Sequence, residues 1–301
     1  MKNCFSICSG YLKNINLMMI IASGFLMTAV SCQKNSTSGN GSNLYDSATA
    51  YTPTNISYGD DPRQIMDVYL PAHRSSGLTK VFVLIHGGGW SEGDKSDFGD
   101  LFNALKGLYP DHAIVNLDYR LGTSTRPGYP KQINDIQSAI DQIQLAKYSL
   151  SKQYFLLGAS AGGHLAMLYA YAFDDHHYVK GICNTVGPSD LTDPAYTDNI
   201  LYWPILINLF GNVTYIQNPT LYEEVSPAKR VTPSSPPTIS FYGDSDPLIP
   251  SSQMGRLQDA LQVKGVYHEA TMYNGAGHGN WNPTQTQDYV TKIANFINSY
   301  F

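Results

Sequence analysis

The chain of 301 residues carries 24 acidic and 19 basic side chains, which gives a formal net charge of −5. This length suits one large domain, and no segment has the character of a second one. No cluster of lysine and arginine stands out in the sequence. The composition therefore argues against a nucleic-acid partner, because binding a polyanion needs concentrated positive charge.

The amino terminus has the pattern of an export signal. Lys2 and Lys13 form a basic start, and the apolar stretch 17–30 is too short to span a bilayer comfortably. The ending Ala-Val-Ser-Cys at Cys32 resembles a bacterial lipobox, in which the cysteine is lipidated and becomes the first mature residue. We expect a lipoprotein signal peptide at 1–31 and a lipid anchor in the cell envelope, on the periplasmic or outer-surface side. Ordinary secretion with cleavage nearby is the alternative.

A polar segment follows the predicted cleavage site. Residues 32–54 are rich in Ser, Thr, Asn and Gly and contain few large apolar residues, which predicts a flexible tether ahead of a catalytic domain at 55–301. Removal of the signal leaves only Cys32 and Cys183 of the four cysteines. We therefore expect no structural disulfide, and Cys183 is interpreted as a buried strand residue.

Strand-like and helix-like patterns alternate along the rest of the chain. Isoleucines recur at helical spacing within 133–143, and apolar residues do so within 289–300. Alternating βα units predict an α/β fold with a mostly parallel central sheet flanked by helices. The predicted strands are 65–70, 81–85, 113–119, 154–157, 179–183, 238–242 and 267–273.

A glycine-rich loop follows the strand at 81–85. The loop reads His-Gly-Gly-Gly-Trp at 86–90. Rigid backbone N–H groups stabilise the negative charge that builds on a carbonyl oxygen during acyl transfer, and glycine lets the backbone approach that oxygen closely. We interpret 86–90 as an oxyanion loop rather than a flexible hinge. The GK[ST] ending of a phosphate loop is missing.

The pentapeptide 158–162, Gly-Ala-Ser-Ala-Gly, lies between the strand-like run 154–157 and the helix-like run 164–173. A sharp turn from strand to helix forces its middle residue into a strained conformation and exposes the side chain, and small flanking residues relieve the crowding. This context predicts that Ser160 is a nucleophile, although the five letters alone also fit a glycine-rich turn.

Residues 188–232 break the βα alternation. The apolar and aromatic run 199–211 within them contains a proline and is too short and interrupted for a membrane span. We interpret 188–232 as a small cap insertion that forms part of the substrate pocket. A plain surface-packed helix is the alternative.

A serine nucleophile needs a histidine base, and that base needs a carboxylate. His278, in a glycine-flanked loop, is preferred to His268, which lies within a predicted strand. Asp246 precedes a proline, which favours an extended backbone, and it is preferred to Asp244, which suits a local turn. The sequence therefore predicts a triad of Ser160, Asp246 and His278.

The remaining histidines are assigned structural roles. We expect His86 to brace the glycine loop and His164 to pack on the helix after the serine. His176 and His177 are adjacent and have no carboxylate at ligand spacing, so no metal site is predicted. No cofactor is expected.

Four motifs together resemble the α/β-hydrolase superfamily, and within it serine esterases of the hormone-sensitive-lipase and acetylesterase type. They are HGGGW at 86–90, GASAGGHLA at 158–166, Asp246 in GDSDPLIP and His278 in GAGHG. The resemblance runs from about Asn55 to the carboxyl terminus. It implies an α/β-hydrolase fold, but the space before the strand at 81–85 is too short for the long helical cap that some members carry.

In such esterases the oxyanion hole uses the second and third loop glycines and the residue after the serine. The resemblance therefore implies that Gly88, Gly89 and Ala161 have this role here. It also implies a serine carboxylesterase for short-chain or aryl esters, among them acetyl or feruloyl esters of carbohydrates. An amidase, formamidase or peptidase with the same triad is an alternative, and an inactive binding protein with this fold is another. The natural substrate and the oligomeric state are not set by the sequence.

Overall fold

The computed structural model describes residues 45–301. The predicted signal peptide, the predicted lipidation site Cys32 and most of the predicted tether lie outside these residues, and those assignments stay predictions. Among the helices of residues 45–301, none has both the length and the apolar character needed to cross a membrane.

The centre of the fold is a sheet in which eight strands of the described chain take the order β1-β2-β4-β3-β5-β6-β7-β8. The pairs β1–β2 and β2–β4 are antiparallel, and every other pair is parallel. The predicted α/β fold with a mostly parallel sheet is confirmed. The strands are β1 Ile56–Ser57, β2 Ile65–Tyr69, β3 Val81–Ile85, β4 Ala113–Leu117, β5 Tyr154–Ala159, β6 Val179–Thr185, β7 Thr238–Gly243 and β8 His268–Tyr273.

Helices cover both faces of the sheet. They are α1 Gly99–Leu108, α2 Lys131–Ile143, α3 Ala161–Ala172, α4 Pro194–Thr197, α5 Trp203–Phe210, α6 Pro219–Glu224, α7 Pro227–Arg230, α8 Ser252–Val263 and α9 Pro283–Tyr300. Short 3₁₀ turns occupy Lys95–Phe98, Ala146–Tyr148 and Ile200–Tyr202.

Two apolar clusters form the core, one on each face of the sheet. Neighbouring residues of a strand point to opposite faces, so Val83 belongs to one cluster and Phe82 to the other. Helices α2 and α3 contribute to the cluster of Val83, and α1 and α9 contribute to that of Phe82. Every residue of β3, β4 and β5 is buried, as expected for parallel strands covered on both sides.

The structure corrects the boundary of the predicted tether. Residues 45–54 pack on the domain, where the ring of Tyr45 lies 5.0 Å from that of Tyr148 and Tyr51 pairs with Leu70. Buried Arg74 donates hydrogen bonds to the carbonyl oxygens of Tyr45 and Thr49. The polar composition misled the prediction, because these contacts use backbone carbonyls and two tyrosine rings rather than an apolar run.

Between β6 and β7, the chain forms the insertion that the sequence predicted at 188–232. It consists of the short helices α4 to α7 and one 3₁₀ turn. Pro204 lies in the first turn of α5, where a missing N–H removes no helical hydrogen bond. Gly211, with φ of 83°, follows the end of α5. The apolar run 199–211 is therefore a turn and a helix of eight residues rather than a membrane span.

Candidate active site

Ser160 occupies the turn between β5 and α3. Its backbone has φ of 54° and ψ of −121°, and its N–H donates to the Thr185 carbonyl oxygen at 2.8 Å. A Cβ atom at Gly162 would overlap the carbonyl oxygen of Ile85, and one at Gly158 would overlap that of Gly162. These contacts explain why small residues flank the serine, since the helix must approach the neighbouring strands closely. The structure thus holds Ser160 in the strained strand-to-helix turn that the sequence predicted.

The glycine loop after β3 folds back on itself near this turn. Gly88 has φ of 109° and Gly89 has φ of 54°, and the carbonyl oxygen of Gly88 accepts hydrogen bonds from the N–H groups of Ser91 and Glu92. Within residues 45–301, the N–H groups of Gly88, Gly89 and Ala161 have no hydrogen-bond acceptor. The N–H groups at the three predicted oxyanion positions are therefore not used by other described residues.

His86 and Tyr119 brace the base of this loop. Their rings stack at 4.2 Å, and the Tyr119 hydroxyl donates to the His86 carbonyl oxygen at 2.8 Å. The His86 Nδ1–H donates to the Gly87 carbonyl oxygen at 2.7 Å. Burial lowers the pKa of His86 to about 4, so the ring is neutral and structural at neutral pH. Sequence reasoning assigned this role to His86 but missed Tyr119, which lies beyond the end of β4.

A second chain of hydrogen bonds joins the loop to the nucleophile helix and the insertion. Trp90 Nε1 donates to His164 Nδ1 at 3.2 Å, and His164 Nε2 donates to the carbonyl oxygen of Val225 at 2.7 Å. Burial lowers the pKa of His164 to about 4. The ring therefore acts as a neutral link that uses both nitrogens, in line with the structural role predicted for it.

The predicted acid and base lie together at the carboxyl-terminal edge of the sheet. His278 Nδ1 lies 2.7 Å from Asp246 Oδ2, and the Asp246 side chain is only 1% exposed. The other oxygen, Oδ1, accepts from the N–H groups of Leu248 and Ile249 at 2.8 and 3.0 Å. These bonds fix the direction of the carboxylate, which favours the proton on Nδ1 and leaves Nε2 free to accept another.

The two rejected candidates have other contacts. Asp244 Oδ1 accepts from the Gly275 N–H at 2.7 Å, which stabilises a turn. His268 is the first residue of β8, so it lies at the opposite end of that strand from the loop of His278. The Ser160 hydroxyl forms no hydrogen bond with another described residue, His278 included. Such bonds are often long in ligand-free enzymes and tighten when substrate binds.

The described residues hold neither a clustered set of metal ligands nor an exposed thiol. Residues 45–301 contain no group of three or more His, Cys, Asp or Glu side chains arranged to hold a metal ion. Cys183 is buried in β6, and burial raises the pKa of its thiol to about 12. The thiol therefore stays protonated at neutral pH and is a poor nucleophile.

The sheet order, the serine turn after β5 and the histidine loop after β8 define a member of the α/β-hydrolase superfamily. The BD-FAE family matches residues 66–261. That is well over half of the sequence, and the chain belongs to this family.

Curated relatives of the chain are named as esterases. Esterase LipC of Mycobacterium tuberculosis is 26% identical over 243 residues, which cover 74% of this chain and 59% of LipC. The isoprenylcysteine alpha-carbonyl methylesterase ICME of Arabidopsis thaliana is 26% identical over 253 residues, which cover 74% of this chain and 55% of ICME. The chain thus spans little more than half the length of these relatives.

Solved structures give the same picture of the fold. A bifunctional GH43-CE protein of Bacteroides eggerthii superposes with a TM-score of 0.67 at 25% identity, covering 81% of this chain and 38% of that one. Esterase B of Lactobacillus rhamnosis superposes with a TM-score of 0.64 at 18% identity, and the match covers 83% of this chain and 87% of esterase B. The second likeness, at this low identity, shows the fold alone.

Proposed function

We propose that the protein is a serine carboxylesterase with Ser160 as nucleophile, His278 as general base and Asp246 as the acid that orients it. The observation that carries this proposal is the 2.7 Å hydrogen bond between His278 and a buried Asp246. The Asp246 carboxylate makes three hydrogen bonds, which hold its direction, and it stabilises the imidazolium that forms during catalysis. The esterase names of the relatives support the same reaction class.

The first half of the reaction forms an acyl-enzyme. His278 Nε2 takes the hydroxyl proton of Ser160 as the serine oxygen bonds to the ester carbonyl carbon. The carbonyl oxygen becomes negative and accepts hydrogen bonds from the N–H groups of Gly88, Gly89 and Ala161. The bond to the alcohol oxygen then breaks, and the alcohol leaves with the proton that His278 held.

The second half returns the free enzyme. A water molecule gives a proton to His278 Nε2 as its oxygen attacks the acyl carbon. The same three N–H groups stabilise the second oxyanion. The bond to Ser160 Oγ breaks, the carboxylic acid product leaves, and the serine recovers its proton from His278. One ester and one water are consumed, and no cofactor takes part.

For the natural substrate we propose acetyl or feruloyl esters of carbohydrates. One similar structure bears the name "Truncated form of carbohydrate esterase from gut microbiota", at 18% identity and a TM-score of 0.62. The Bacteroides eggerthii protein carries a label that pairs GH43 with CE. An enzyme tethered in the cell envelope would meet polymers that do not enter the cell.

The anchor itself is a separate proposal, in which Cys32 carries lipid and holds the enzyme at the membrane. The predicted signal motif supports it, and two or three acyl chains hold a protein firmly where one does not. Cys32→Ser should move the enzyme from the membrane fraction to the soluble fraction and leave hydrolysis of small esters unchanged. Persistent sedimentation after a salt wash, with no incorporation of labelled fatty acid in wild type, would contradict the proposal.

A substrate panel tests the reaction class. We expect hydrolysis of p-nitrophenyl acetate, of acetylated xylan and of methyl ferulate, and little turnover of p-nitroacetanilide. Ser160→Ala is the matched control, since contaminating esterases would survive that change. Preference for the anilide over all esters would favour the amidase alternative. Absence of turnover on the whole panel would favour the inactive binding protein.

A further inference from the structure

The insertion is anchored at both ends of the active-site edge. Near its start, Asp193 accepts a hydrogen bond from the Ser252 hydroxyl at 2.5 Å and forms an ion pair with Arg256 at 2.9 Å. Both partners lie on α8, which follows the loop of Asp246. Near the end of α5, Asn208 Nδ2 donates to Ser91 Oγ at 3.3 Å, just after the glycine loop. Residues 193–208 therefore run from the end of β7 to the end of β3.

This path passes the end of β5. The sheet order places β5 between β3 and β7, and all three strands are parallel. Ser160 follows β5 at the edge where both anchors lie. A segment that connects the ends of β3 and β7 along this edge passes the end of β5, and its residues Leu206 and Leu209 pack on the face of the sheet that carries Val83. Residues 193–208 thus flank the end of β5 on that face.

Ile205 lies beside Gly89, in the part of residues 193–208 that approaches the glycine loop. Its Cγ2 atom lies 3.5 Å from the position that a Cβ atom would take on Gly89. Its side chain is half-buried against the core cluster of Val83, so part of its surface stays exposed. Three residues before Ile205, the ring of Tyr202 packs on that of Tyr196 at 4.9 Å. Burial, followed by the negative charges of Asp246 and Asp193, raises the pKa of Tyr202.

The chemistry of ester cleavage assigns a substrate group to each end. The leaving alcohol takes its proton from the general base, so it must lie toward His278 and Asp246. The acyl group bonds to the same carbon as the oxyanion, and it extends away from the leaving alcohol. We propose that Ile205 is a specificity-determining residue that limits the size of the acyl group. This inference rests on the proposed esterase function. If Ile205 has this role, its side chain favours esters with short acyl chains.

The test varies the acyl chain and keeps the leaving group constant. The ratio of kcat/KM for p-nitrophenyl octanoate to that for p-nitrophenyl acetate measures the preference. Ile205→Ala should raise this ratio about 10-fold and Ile205→Phe should lower it similarly, because one methylene in an apolar pocket changes selectivity by at least about that factor. Leu201→Ala is the matched control, because Leu201 is a branched aliphatic residue of the same segment and is 78% exposed. The octanoate-to-acetate ratio of this variant should equal that of wild type.

A second series keeps the acyl group constant and varies the alcohol, as methyl, ethyl and phenyl acetate. The Ile205 variants should retain the wild-type order on this series. An unchanged octanoate-to-acetate ratio in both variants would overturn the inference while leaving the esterase function standing. An equal loss on all esters would also overturn it, since Ile205 would then only position the loop. A wild-type enzyme that hydrolyses no ester would remove the proposed function, and the inference with it.

Discussion

The loops after β3 and β5 and the insertion between β6 and β7 lie at the same edge of the sheet, yet they are held differently. The loops continue strands that are buried on both faces and are fixed by buried side chains such as His86 and Tyr119. The insertion consists of helices of four to eight residues and exposes Ile200 and Ile216. We infer that the loops hold the chemical groups and the insertion selects the substrate.

The largest expected effect comes from the nucleophile. Ser160→Ala should lower kcat by roughly 10⁴-fold or more, because the proposed reaction passes through an ester on the Ser160 hydroxyl. The hydroxyl forms no hydrogen bond with other described residues, so the melting temperature should change little. The measurement pairs initial rates on p-nitrophenyl acetate with thermal unfolding. Residual activity above a tenth of wild type, in a protein that unfolds normally, would refute the assignment.

The second prediction compares two neighbouring carboxylates. Asp246→Asn should lower kcat about 10³- to 10⁴-fold, because an amide favours the wrong histidine tautomer. Asp244→Asn should cost about 1 kcal/mol of stability through its bond to Gly275 and leave kcat near wild type. Steady-state kinetics and chemical denaturation of both variants check this. The opposite ranking of kcat would transfer the acid role to Asp244.

The same comparison applies to the two downstream histidines. His278→Ala should abolish turnover as fully as the loss of Ser160, since members of a triad act as a unit. His268 lies at the far end of β8, so the variant His268→Ala should retain the wild-type kcat. Activity that survived the first change but not the second would place the base on β8 rather than in the loop after it.

A matched pair of tyrosines separates the roles of the two regions. Tyr119 and Tyr222 are both buried. The Tyr119 hydroxyl donates to the His86 carbonyl oxygen in the glycine loop, and the Tyr222 hydroxyl donates to the Val213 carbonyl oxygen in the insertion. Each change to Phe should cost roughly 1–3 kcal/mol of stability. Only Tyr119→Phe should also lower kcat on small acetates, by about 10-fold, as the oxyanion donors shift. If both variants lowered kcat equally, the glycine loop and the insertion would not differ in their role in catalysis.

The last prediction concerns stability at acid pH rather than activity. Burial lowers the pKa of both His86 and His164 to about 4, below the unfolded value of about 6.5. Between these values the unfolded chain binds more protons, so the free energy of unfolding falls as pH drops from 6.5 toward 4, by roughly 3 kcal/mol for each histidine. Urea denaturation at several pH values should show a shallower decline for His164→Gln than for wild type. Identical slopes would contradict the buried neutral state of His164.

The sequence predicted the strands well because parallel strands buried on both faces read as continuous apolar runs. It also predicted the position of Ser160 and the pairing of Asp246 with His278, since strand ends and turn residues are local signals. The strand β1 was missed, because two residues carry no periodicity. The docking of Tyr45 was missed as well, since it depends on a distant arginine.

The support of the glycine loop could not be read from the sequence either. Tyr119 and Trp90 act through hydrogen bonds to residues more than 30 positions away, and no local pattern marks such contacts. For the insertion, the sequence indicated only its apolar character. Its path along the edge of the sheet depends on the anchors at Asp193 and Asn208, which are tertiary contacts.

Covalent labelling of the nucleophile is the decisive experiment. The protein would be incubated with a fluorophosphonate, in which the serine oxygen bonds to phosphorus and fluoride leaves, and the labelled residue would be identified by intact mass and peptide mapping. We expect one label for each chain, located on Ser160, absent from Ser160→Ala and formed far more slowly in His278→Ala. Stoichiometric labelling of another residue, or continued ester hydrolysis after complete labelling of Ser160, would contradict it.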